Sequence, residues 1–148
     1  MSKVIKYMIA YGMWIVDLGL SAWLYFISRT ALLGILALSY EQGDFQYSKA
    51  VDLVDRIFVV VLGLGWLVFS IFTEEYYRTG ALKENLLKRF ARVTGPLLLC
   101  VFVVDLILFW LQGIGGDNWL RWLILAAELV IGLALIVSGK KNATNKSN

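Results

Sequence analysis

The chain has 148 residues, of which 59% are hydrophobic and 17% charged, with a formal net charge of +3 and a mean hydropathy of +0.72. A soluble domain carries about 25% charged residues, so this composition describes an integral membrane protein, and 148 residues leave little over once a few crossings of about 20 residues each are counted. Histidine is absent and the one cysteine, Cys100, lies in an apolar run, which excludes His-ligated haem, Cys/His metal clusters, a Ser–His–Asp triad and an intrachain disulfide.

Four apolar stretches predict an all-α polytopic fold: four transmembrane helices in one bundle, with spans at about 7–27, 51–72, 93–111 and 119–138. The basic opening Met1 to Lys6 resembles a signal sequence, but the apolar run behind it is too long for a cleaved one and is expected to be an uncleaved anchor. That run continues past Ser28, Arg29 and Thr30 into Ala31 to Leu38. From Val4 to Leu38 it is too long for one crossing and too short for two, so Ala31 to Leu38 reads as a helical extension or an interfacial piece. The second span is short and borrows Val51 to Arg56, with Ser48 as its expected N-cap and Asp52 and Asp55 at the interface.

Between the second and third spans, 81–92 forms an amphipathic segment. Leu82, Leu86 and Phe90 share a face that continues to Val93, and Lys83, Lys88, Arg89 and Arg92 flank it, an arrangement suited to anionic lipid headgroups. Gln112 to Asn118 reads as a glycine-rich turn in which Asp117 caps the fourth helix. It lacks a P-loop lysine, and neither it nor the basic segment gives a case for phosphate or nucleic-acid binding. Residues 140–148 form a polar tail, whose two Asn-x-Thr/Ser triplets are inert on the cytoplasmic side.

Orientation follows from the basic residues. Lys3, Lys6, Arg78, Lys83, Lys88, Arg89, Arg92, Lys140, Lys141 and Lys146 fall on one side, against Arg29, Lys49, Arg56 and Arg121 on the other. The positive-inside rule then places both termini in the cytoplasm, in the cell inner membrane if the source is bacterial. Tyr7, Tyr11, Tyr76 and Tyr77 are expected in the inner aromatic belt, and Trp23, Tyr25, Trp110, Trp119 and Trp122 in the outer one.

The most informative residues are Asp17, Asp105 and Glu128, three acids inside apolar runs with no basic residue at comparable depth. Counted from Lys6, Arg92 and Lys140, they lie 11, 13 and 12 residues into their helices, about 16 to 20 Å, which predicts one shared layer near the middle of a core about 30 Å thick. Gly12 with Gly19, and Gly132 with Gly139, sit seven apart and offer close helix approach. IVDLGL at 15–20 and VVDLIL at 103–108 form a faint repeat that would make Asp17 and Asp105 equivalent.

The chain is expected to be a small non-catalytic membrane subunit of a larger assembly, with midplane carboxyls pairing helix to helix. The alternative is an oligomeric proton- or cation-coupled transporter using the same three acids. Expected partners are membrane lipids and either other integral membrane subunits or further copies of the chain. No cofactor or metal is indicated, and the architecture only resembles that of small proton-coupled multidrug exporters, without a shared motif.

Overall fold

The computed structural model describes residues 3–38, 45–82, 85–111 and 119–144. These form four helices: α1 (Lys3–Leu38), α2 (Phe45–Leu82), α3 (Leu86–Leu111) and α4 (Trp119–Thr144). All four are long and apolar enough to cross a membrane. The large hydrophobic side chains of α2 and α4 point mostly outward, Val60, Leu64, Val68 and Ile71 on the one and Leu123, Val130, Ile131 and Val137 on the other. Apolar exterior at this density suggests a multi-pass membrane protein, because a water-soluble bundle would turn those faces inward.

The spans are longer than the apolar runs. Ala31 to Leu38 continues α1 as helix, since nothing at Ser28, Arg29 or Thr30 breaks it. At Thr30 the hydroxyl bonds back to the Phe26 carbonyl and leaves the backbone ladder in place. The second helix starts before its expected cap: α2 begins at Phe45, so Ser48 lies inside its first turn. Asp117 and the glycine-rich turn around it, the Lys83 of the amphipathic segment and the end of the tail fall outside the described residues.

The amphipathic segment is not a separate surface helix. It is divided between the end of α2 and the first turns of α3, with Asn85 at the junction. The Asn85 amide donates to the Gly80 carbonyl, which caps α2, and the Asn85 carbonyl accepts from the Arg89 amide, which opens α3. Its apolar face turns into the protein. Leu86, Phe90 and Val93 pack on the buried cluster of Ala10, Tyr77 and Ala81, so these side chains are spent on helix packing.

In the bundle, α1 packs on α2 and on α3, α2 also touches α3, and α4 packs on α3 alone among the described residues. A second apolar cluster holds α1 to α3 further along, made by Ile27, Ala31, Val101 and Leu108. The α3–α4 contact is close because glycine lines both sides. A Cβ on Gly95 would lie 2.8 Å from Ile136 Cγ1 and 3.2 Å from the Ile136 amide nitrogen, and one on Gly132 would meet Leu99 at 3.1 Å. Gly139 rests on Ala91. The pair in α4 therefore does what its spacing promised. Gly12 and Gly19 in α1 do not, since nothing lies within 4 Å of either position.

Candidate functional site

Asp17 is fully buried, and it is the point where three helices meet. Its face of α1 also carries Ala10, Trp14 and Ser21, the inner face of that helix. The Tyr77 hydroxyl of α2 donates to Asp17 Oδ2, and the Thr94 hydroxyl of α3 donates to Oδ1 at 2.7 Å. Both donors are as buried as their acceptor, Tyr77 at 1% exposure and Thr94 at 3%. The carboxyl is thus held by neutral hydroxyls from two other helices, in place of the cation that no basic residue at its depth supplies.

Beyond this junction a polar seam follows the α1–α2 contact. Trp14 Nε1 donates to the Ser70 carbonyl at 3.1 Å, and Trp66 Nε1 donates to Ser21 Oγ at 3.1 Å. At the far end Arg29 grips Asp55 with two parallel hydrogen bonds of 2.9 and 2.8 Å. Arg29 and Asp55 were expected as interfacial charges; in the structure they form a bidentate clasp between α1 and α2.

Asp105 and Glu128 occupy a different place. Asp105 is half-buried, and Glu128 stands on the α4 face that carries Gly132, with Ile124 and Ile131 beside it turned outward. On α4, Glu128 falls between Trp122, stacked edge-on against Phe109, and Gly132, set against Leu99. Antiparallel packing brings it to the height of Asp105, and the two carboxyls are near enough for their charges to repel. Glu128 Oε2 is buried and has no hydrogen-bond partner among the described residues.

The three acids do not share one layer. Asp17 is level with Thr94, and Gly34 meets Leu111 at the same separation in sequence, so α1 and α3 run side by side in a fixed parallel register. Asp105 is eleven residues beyond Thr94, about 16 Å further along the bundle. The expectation of equal depth requires Lys6 and Arg92 to stand in one plane, and they do not. Thr94, two residues past Arg92, stands level with Asp17, eleven past Lys6. The faint repeat gains no support either, since Asp17 and Asp105 have unlike surroundings.

Of the residues expected at lipid headgroups, Arg92 is exposed and Lys88 half-buried on the first turns of α3. Arg89 is diverted. Its guanidinium donates to the Tyr76 carbonyl and, at 3.0 Å, to Thr79 Oγ1, and lies 4.5 Å from the centre of the Tyr76 ring. A Cβ on Gly80 would come within 2.6 Å of Arg89 Cδ, so glycine is what lets this arm cross the last turn of α2. Arg89 thereby fastens the first turns of α3 to the last turns of α2.

Sequence reasoning missed Tyr77 and Thr94. Tyr77 stood next to Tyr76 and was grouped with the inner belt, and a lone threonine before Gly-Pro carries no signal of its own. Among the described residues no group of His, Cys, Asp and Glu side chains could hold a metal ion. The chain matches no protein-family model, and no curated protein or solved structure is detectably similar to it.

Proposed function

We propose that this chain is a small non-catalytic integral membrane subunit, whose Asp105 and Glu128 carboxyls pair with donors on a helix of another subunit. The observation that carries the reading is Glu128 Oε2, buried and without a hydrogen-bond partner on a helix that packs against α3 alone among the described residues. A carboxyl in such surroundings is costly unless a donor reaches it, and Asp17 illustrates how this chain satisfies one when donors are at hand. Both termini lie in the cytoplasm in this reading, with Lys88 and Arg92 at the inner headgroups.

The test is extraction in mild detergent followed by mass measurement of the native particle. The wild-type chain should travel with another membrane protein, and Glu128→Ala or Asp105→Ala should shed it while the chain itself stays inserted. A particle of unchanged mass in both variants would remove the reading. Cysteine labelling at positions 142 and 44 checks orientation, with position 44 reached from outside and position 142 not.

Ion coupling stays as a second reading because two acids, Asp105 on α3 and Glu128 on α4, stand at one height on packed helices within electrostatic reach of each other. It rests on two acids, since Asp17 is engaged elsewhere. Flux driven by a pH gradient in reconstituted vesicles, lost in Asp105→Asn and Glu128→Gln, would favour it over the subunit role.

A further inference from the structure

We propose that the Asp17–Tyr77–Thr94 junction is a registry lock, which selects one of several otherwise similar positions that α1 can take along the α2–α3 hairpin. Apolar helices in a bilayer gain little from meeting one another rather than lipid, so interlocked aliphatic side chains discriminate weakly between positions one helical turn apart. Most of what α1 presents to its neighbours is of this kind, with Leu24, Ile27 and Ala31 against Val101, Val104 and Leu108. A carboxyl is different, because only some positions on the facing helices offer it donors.

The sequence around the two donors makes the selection sharp. A slide of α1 by one turn toward the far end of α3 sets Asp17 opposite Leu98 and Thr73, and Thr73 already donates to the Phe69 carbonyl at 2.7 Å. A slide the other way sets it opposite Phe90 and Ala81, with no hydroxyl at all. The observed position alone gives both carboxyl oxygens a buried donor. Twelve residues further along α1, Arg29 meets Asp55, but one turn toward the far end it would meet Asp52, so the ion pair discriminates between positions less sharply than the junction does. The buried junction is thus the group that fixes the alignment, as buried polar groups do in paired helices.

Disulfide trapping in native membranes reads the register directly. Gly34 contacts Leu111, so in a Cys100→Ala chain the pair Gly34→Cys with Leu111→Cys reports the observed position, while Thr30→Cys or Leu38→Cys with Leu111→Cys reports a one-turn slide either way. The measurements start from a chain that also carries Arg29→Leu, Asp55→Leu, Trp14→Phe and Trp66→Phe, which removes the ion pair and both tryptophan hydrogen bonds along the α1–α2 contact and keeps the junction. There, oxidation should trap 34 with 111 and neither slid pair. Adding Asp17→Leu, Tyr77→Phe and Thr94→Val together leaves no polar group unpaired, and the trapped product should spread to a slid pair at roughly a tenth or more of the total. Asp17→Asn, which still accepts from a hydroxyl, should keep the trapping at 34 with 111.

The proposal is overturned if the chain without the junction still traps only 34 with 111, or if slid pairs already form while the junction is intact. Should that chain fail to accumulate, Thr94→Val alone on the same starting chain decides the matter: a rise in slid product supports the lock, and unchanged trapping overturns it.

Discussion

Two buried carboxyl sites in one small bundle have been solved in opposite ways. Where α1, α2 and α3 converge, Asp17 is enclosed and receives a hydroxyl on each oxygen. Where α3 meets α4, the backbones come together over Gly95 and Gly132, and the acids near that contact, half-buried Asp105 and Glu128, lie within electrostatic reach of each other, with Glu128 Oε2 lacking a hydrogen-bond partner among the described residues. The first site uses polarity to order helices inside the chain. The second uses small residues for that purpose and leaves its polarity over, which is why the second is the better candidate for an outside partner.

The largest expected effect comes from emptying the first site. Asp17→Ala strands two buried hydroxyls, and with interhelical hydrogen bonds in membranes contributing roughly 0.6 to 1.7 kcal/mol each, the loss should be about 2 kcal/mol in denaturant titration of the detergent-solubilised chain. Stability unchanged in that variant would mean that the junction is incidental to the fold. Next comes Gly95→Ala, which drives a methyl group into Ile136 and should cost about 1 to 2 kcal/mol by overpacking. Its counterpart Gly12→Ala, with open space around it, should be neutral or mildly stabilising, as alanine is in a helix. Equal losses at both positions would contradict the close approach of α3 and α4.

At the second site the sign should reverse. Glu128→Leu removes an unserved polar atom and should leave the isolated chain as stable as before or better by about 1 kcal/mol, whereas Asp17→Leu destabilises it. A Glu128→Leu chain that unfolds readily would show that this acid is satisfied from within and would erase the contrast. The smallest effect belongs to Arg29→Leu, which opens an exposed clasp; its loss should be detectable only at low salt and should vanish as ionic strength rises.

The four helices could be read from the sequence because apolar length is a property of each segment alone. Ala31 to Leu38 stayed ambiguous for the same reason: eight apolar residues look alike whether they extend a helix or leave it. What could not be read was the height of one helix against another. Asp17 and Asp105 were placed in one layer because each was measured from its own nearest base, and nothing in a single chain says that Lys6 and Arg92 stand at different heights. Tyr77 shows the same gap at the level of a side chain. Its neighbour Tyr76 lies under Arg89 while Tyr77 itself turns to Asp17, and residues adjacent in a helix point about 100° apart. The amphipathic face of 81–92 was recognised correctly as a face, but periodicity does not tell a helix that lies on a membrane from one that packs on a protein.

The helices are also unequal in length. With 36 and 38 residues, α1 and α2 are about 54 and 57 Å long, against about 39 Å for the 26 residues of each of α3 and α4. A bilayer with a hydrocarbon core of about 30 Å fits the shorter pair closely and is overrun by the longer pair on at least one side. Asp17 joins α1 to both α2 and α3, so the long helices do not lean separately from the short ones. For a bundle that spans a bilayer, the excess is then accommodated by tilting as a unit or by standing proud of the lipid, and a thicker membrane should favour the upright form and a thinner one the inclined form.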